Sequence, residues 1–267
     1  MQRMLNSVTA ILKKELKHYF YSPIAYVVMM LFLTLSGYFF YAGMVRFSEQ
    51  YKYVKSMMQM YQNPEMLSRM NLNEMVIAPA LFNMVFIFLF MLPLIMMRSF
   101  AEEKSRKTDE LLRTSPITGG ELIAGKFLGS LAFIGLLLLP TLVYQLLLYT
   151  LLPSPPEGWP IVTGYLGVLL FVCAGISIGL FASALTENQI IGAVVTFVIL
   201  LFMFIINFIQ LSEGSILYSV VKYLSVGEHI RNFLRGLLDT KDVVYFLSIC
   251  VVFLTLTKRS LEIEGWR

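Results

Sequence analysis

Five uncharged stretches, 24–45, 75–97, 127–156, 158–186 and 188–212, are each as long as or longer than a membrane crossing. A helix needs about 20 apolar residues to traverse the hydrocarbon core. Lipid offers no partner to a free N–H or C=O, so such runs must close their backbone bonds internally, as helices. A sixth run, 243–257, is shorter and reaches span length if Lys258 and Arg259 extend their stems to the interface. Only 14% of residues are charged and the mean hydropathy is +0.72, whereas soluble domains carry roughly a quarter charged residues. The expectation is an all-α integral membrane protein, a single transmembrane domain over 1–267. Its six transmembrane helices are expected at about 24–45, 76–97, 127–150, 161–185, 188–210 and 242–258.

Charge placement sets the orientation. With the N-terminus inside, Lys and Arg number four in 1–23, six in 98–126 and three in 258–267. The outside segments 46–78 and 210–242 carry four each and are longer. That is the positive-inside pattern, with both termini cytoplasmic and the chain in the cytoplasmic (inner) membrane. The basic balance resides in these juxtamembrane clusters and forms no face for nucleic acid. The first 23 residues lack the short apolar core of a cleavable signal. Cys173 and Cys250 both fall inside spans, without a CxxC, and read as small buried apolar residues.

Residues 5–20 place Val8, Ile11, Leu12, Leu16, Tyr19 and Phe20 at helical spacing, which predicts an amphipathic interfacial helix. Ser22-Pro23 then breaks it, because a residue before proline resists helix. The external segment 46–75 contains Met57, Met58, Met60, Met66, Met70 and Met75. Thioethers can hold Cu(I), but with no Cys or His beside them adaptable packing is the plainer reading. The turn at 152–160 has four prolines, and Trp159 suits a headgroup anchor. Thr186-Glu187-Asn188 is so short that the flanking spans must be antiparallel neighbours. Segment 211–241 is external, with amphipathic stretches near 215–224 and 228–238. Their apolar faces (Ile216, Leu217, Val220, Val221; Ile230, Phe233, Leu234, Leu237) are expected to lie on or dip into the membrane.

Most chemical motifs fail on inspection. Gly120 to Lys126 has the GxxxxGK spacing of a phosphate loop, yet Phe127 stands where Ser or Thr must hold Mg²⁺. Lys126 is expected to snorkel at the cytoplasmic end of span three. Gly175-Ile-Ser177-Ile-Gly179 fits a nucleophile elbow but sits in mid-span without a histidine. The same residues form a stripe, Gly175, Gly179 and Ser183, suited to close helix packing. Cofactor and metal sites are not expected in this chain. Asn83, Gln145, Ser177, Thr196 and Asn207 are polar groups within the spans, and in the core of the spans no Asp, Glu, Lys or Arg joins them. Ion-driven carriers need such groups at mid-membrane, so energy for any transport must come from a partner.

Residues 98–126 form a hairpin between spans two and three with eleven Lys, Arg, Asp and Glu. It resembles the inside loop of ABC-2 type exporter permeases on Glu103, Ser105, Thr108, Glu110, Leu111, Leu112, Ser115, Pro116, Glu121, Gly125 and Lys126. Those permeases usually have Gly before the Thr, where this chain has Lys107. Similar matches occur at Gly179 to Gln189, at Arg235-Gly236, and from Asp239 into span six. The likeness is to the subfamily of gliding-motility permeases and, more distantly, the nitrous-oxide-reductase maturation permease. It implies a type V-like exporter domain, paired with a second permease half (homodimer or paralogue), above a dimer of cytoplasmic ABC ATPase subunits that bind ATP and Mg²⁺. It implies a coupling helix at 105–113 and a partner interface on Glu103, Ser105, Thr108, Glu110, Leu111, Leu112, Ser115, Pro116, Glu121 and Lys126. The interfacial helix would act as a lever on span one. The alternative is a membrane scaffold or mechanotransmission subunit that works on an extracytoplasmic partner protein without passing a substrate.

Overall fold

The computed structural model describes residues 2–61, 70–108, 117–152, 155–206 and 221–263, and among them every regular element is helical. Helix α1 (Gln2–Tyr21) ends at Ser22, and Pro23 opens α2 (Pro23–Tyr61) at the position where a missing N–H costs nothing. A π-helical turn, Asn73–Ile77, leads into α3 (Ala78–Met96), and a short α4 (Ala101–Ser105) follows. Next come α5 (Gly119–Leu138), a 3₁₀ turn Leu139–Thr141 at Pro140, and α6 (Leu142–Leu151). The chain continues with α7 (Gly158–Ala184), α8 (Gln189–Ile205), α9 (Val226–Leu234) and α10 (Thr240–Ile263). Among the described residues, five helical stretches are long and apolar enough to cross a membrane, and Gln189–Ile205 is a shorter apolar helix.

Several boundaries differ from expectation for local reasons. Helix α5 starts eight residues before 127, because Thr118 and Glu121 form a capping box at its N-terminus. Helix α7 starts at Gly158, since Pro160 in the first turn has no intrahelical bond to lose. The fifteen-residue run lies inside the 24-residue α10, which absorbs charged neighbours at both ends. Helix α2 continues through Arg46 to Tyr61, so the segment expected as an external loop from 46 begins as helix. At 39 residues it is about 58 Å long, nearly twice the hydrocarbon thickness.

Helix α7 is the central element, packed by α3, α5, α8, α9 and α10. Its glycines permit this. A Cβ on Gly164 or Gly175 would collide with Leu81 or Leu92 of α3, and one on Gly167 with Phe233 of α9. Ile230, Phe233 and Leu234 are therefore buried against protein, a correction to the membrane-facing reading of 228–238. Leu237 remains exposed. Ile216, Leu217 and Val220 lie outside the described residues. Asn188 caps α8 by accepting from the Ile190 N–H at 2.9 Å, which makes the tight antiparallel turn with α7.

Candidate functional site: a charged joint at the base of the hairpin

Helix α1 crosses α5 on two glycines. A Cβ on Gly125 would stand 2.6 Å from Ile11, and one on Gly129 would stand 2.7 Å from Glu15. Ile11, Glu15 and Tyr19 are spaced four apart and form the buried face of α1. This contact carries a carboxylate into a dry interface, so a cation must meet it. Lys126, 1% exposed, supplies that cation. Its Nζ donates to Glu15 Oε1 at 2.8 Å and to the Ser99 carbonyl at 2.6 Å, and lies 3.0 Å from Glu103 Oε2. The three ammonium donors are all engaged, with the Phe100 ring 5.1 Å away. Lys126 is thus a buried bridge between α1, α4 and α5, a correction to the snorkelling expectation: both carboxylates hold it inward.

Neighbouring bonds widen the joint. Lys14 reaches Glu103 Oε1 at 3.0 Å and Arg106 reaches Glu102 Oε1 at 2.7 Å. Tyr19 Oη hydrogen-bonds Ser130 at 3.0 Å and its ring stacks on Phe133 at 4.6 Å. Burial, with Glu15 adding to it, pushes the Tyr19 phenol above its ordinary pKa, so it acts as a neutral hydroxyl. From the far side, Ser183 of α7 accepts the Phe100 and Ala101 N–H groups at 2.9 and 3.0 Å. Lys104 donates to the Ala184 carbonyl. On the same stripe, a Cβ on Gly179 would collide with Met96 of α3. The base of the hairpin is fastened to α1, α5 and α7 together.

The expected interface residues divide accordingly. Glu103 and Lys126 belong to the joint, and Glu121 is spent on its capping box, accepting from the Thr118 N–H at 3.0 Å. Ser105 is the last residue of α4, so the helix expected over 105–113 does not run on unbroken from 105 through Lys107, and 109–113 lie outside the described residues. Lys107 has φ 56°, and Thr108 N–H returns to the Glu103 carbonyl at 2.9 Å, which closes α4 in the left-handed cap that glycine prefers. Glu110, Leu111, Leu112, Ser115 and Pro116 lie outside the described residues. Gly120 to Lys126, the apparent phosphate loop, is helical throughout. Ser177 donates to Cys173 O within its helix at 2.9 Å, as a packing residue does.

A second buried network was not anticipated. At the opposite end of the molecule, Asp242 at the start of α10 is fully buried and accepts from Asn232 at 2.8 Å. Its other oxygen is 2.6 Å from His229 Nδ1, while His229 Nε2 meets the Tyr223 carbonyl at 2.9 Å. Both ring nitrogens face acceptors, and the ring stacks on Tyr245 at 3.9 Å. The network locks α9 to α10. Its signal in the sequence was a lone histidine one turn before Asn232, with an acid just past the Arg235-Gly236 turn. At the exposed rim, hydrogen bonds from Lys241 hold the Asp239 carboxyl below its ordinary pKa.

Among the described residues, no cluster of His, Cys, Asp and Glu could hold a metal ion. A family model described as ABC-2 family transporter protein matches residues 9–265, nearly the whole chain. No curated protein matches it at a significant level.

Proposed function

The chain belongs to the ABC-2 family of transporter proteins and is a multi-pass membrane component of an ABC transporter, and from that premise we propose that it is the permease half that converts ATPase strokes into movement of its spans. The ATPase is a separate subunit, working as a dimer, that docks on the hairpin 98–126 from the cytoplasm and supplies the bound ATP and Mg²⁺. A second permease half, identical or paralogous, completes the pathway, and the direction is export across the inner membrane. The subfamily likeness to gliding-motility permeases belongs to this proposal.

One observation carries the reading. The hairpin does not hang freely: Lys126 ties Glu103 at its base to Glu15 of α1, and Ser183 ties it to α7. A push on the finger is therefore delivered at once to the interfacial helix, the third span and the central helix. A solvated loop with no partner would need no such anchoring. The extended α2 supports the scaffold alternative, since its last four turns form a helical rod beyond the span.

The test is reconstitution with the ABC ATPase subunit that this reading assigns to the chain. Glu110→Lys and Leu112→Asp are expected to abolish permease-dependent ATP hydrolysis and co-purification of the ATPase, with membrane insertion unchanged. Full co-purification and hydrolysis in both variants would refute docking on the finger.

A further inference from the structure

Arg98 stands where two spaces meet. A polar cleft of about 380 Å³ is walled by Lys14, His18, Glu102 and Arg106. A slot of about 40 Å³, lined by Tyr19, Ala25, Val28, Leu94 and Ile95, runs between α1, α2 and α3. Glu15, His18, Arg98 and Ser99 belong to both walls, so the two spaces adjoin at Arg98. Ile24 and Leu94 at the slot are exposed on helices long and apolar enough to cross a membrane, so the slot has an apolar open side.

Four Lys and Arg side chains line the cleft, and three are matched to carboxylates. Lys14 has Glu103 at 3.0 Å, Arg106 has Glu102 at 2.7 Å, and Lys126 has Glu15 at 2.8 Å. Arg98 is the surplus cation. Among the described residues its guanidinium makes one hydrogen bond, to Ser22 Oγ at the limiting distance of 3.5 Å. Its Nε is buried without a partner, as is Ser99 Oγ next to it in the chain. Leaving donors unmet in a buried place is costly. A guanidinium fork matches a tetrahedral oxyanion with two parallel bonds. An oxyanion that also fills an apolar slot open to the bilayer is the phosphate of an amphiphile.

We propose that Arg98 binds the phosphate of an anionic phospholipid through the part of its guanidinium that lines the cleft, with the first carbons of the lipid entering the slot beside Leu94 and Ile95. The remainder of the chain would lie along Ile24 in the bilayer. The seat is at the elbow between α1 and α2, so the lipid bridges the interfacial helix and the second span. This inference rests on membrane placement alone and stands or falls separately from ATPase docking.

Native mass spectrometry of the detergent-purified protein tests it, with added phosphatidylglycerol, phosphatidylcholine or inorganic phosphate. Wild-type protein should retain phosphatidylglycerol in preference to phosphatidylcholine, and inorganic phosphate at equal concentration should not displace it. Arg98→Gln should weaken phosphatidylglycerol about tenfold, the loss of a charge-assisted bond. Arg98→Lys, which keeps the charge and loses the fork, should weaken it by about threefold. A thermal melt of each variant establishes folding. Undiminished retention in a folded Arg98 variant overturns the proposal, as does equal retention of the two lipids. Displacement by inorganic phosphate would assign the site to a soluble anion and overturn the lipid.

Discussion

The two buried charge networks sit at opposite ends of the molecule and are built on different plans. The Lys126 joint gathers Glu15, Ser99 and Glu103, partners 111, 27 and 23 residues away, from three separate elements. The Asp242 network draws His229 and Asn232 from within 13 residues, across a single turn. The first borders an open cleft, whereas the second is sealed by Tyr245 and Phe246. A network that joins distant elements beside a cleft can transmit displacement; one that closes a local turn can only hold it. Under the proposed coupling, that difference would separate a moving end of the protein from a fixed one.

Removing the bridge should have the largest effect. Lys126→Met leaves Glu15 and Glu103 facing each other without their shared cation, at a cost of about 3–5 kcal/mol. A fluorogenic thiol dye, reading exposure of Cys173 and Cys250 on heating, would register it as a lower melting temperature. The double variant Lys126→Met/Glu15→Gln should recover part of that loss, because one orphaned charge is gone. Absence of any recovery would break the notion of a shared bridge. At the other end, Asp242→Asn keeps the shape and removes the charge, costing about 1.5–3 kcal/mol. Its effect should appear in stability alone, with ATPase stimulation intact, while the Lys126 variant loses both.

Between these lies a change that should stabilise. Lys107 occupies a left-handed conformation at φ 56°, which costs an L-residue about 1–2 kcal/mol. Lys107→Gly should return roughly 1 kcal/mol of that in the melt, offset in part by the greater freedom of glycine when unfolded. A fall in stability would mean that the lysine side chain compensates for its own backbone.

The long apolar helices were legible because lipid forces a long apolar run into one conformation, and the first helix was legible from its period and its Ser22-Pro23 stop. The joint was only half legible. Glu103 and Lys126 stood out in the hairpin, but their third partner did not, since Glu15 reads as one more polar residue on a surface helix. The available signal was register: Ile11, Glu15 and Tyr19 share a face, and Gly125 and Gly129 repeat at the same spacing on α5. Pairing those two stripes across a separation of 111 residues needs tertiary information. Lys126 was misread for the same reason, as burial depends on what crosses over it. The His229–Asp242 pair was hidden by the tight turn between its members, which sequence spacing made look like two ends of a loop.

The smallest contrast uses two hydroxyls at the two ends of α7. Ser183 accepts two backbone N–H groups at the hairpin base, and Thr163 donates to the Phe233 carbonyl at 2.8 Å. Ser183→Ala leaves the Phe100 and Ala101 N–H groups without that acceptor in a buried place, at about 1–3 kcal/mol. In Thr163→Val the Phe233 carbonyl keeps the Gly236 N–H at 3.1 Å, and the isosteric valine fills the space. Its cost should stay under about 1 kcal/mol. Ser183→Ala should also loosen the grip of α7 on the hairpin and lower ATPase stimulation, whereas Thr163→Val should leave stimulation untouched. Equal effects of the two on stimulation would mean that α7 transmits along its whole length, and the division into moving and fixed ends would have to be given up.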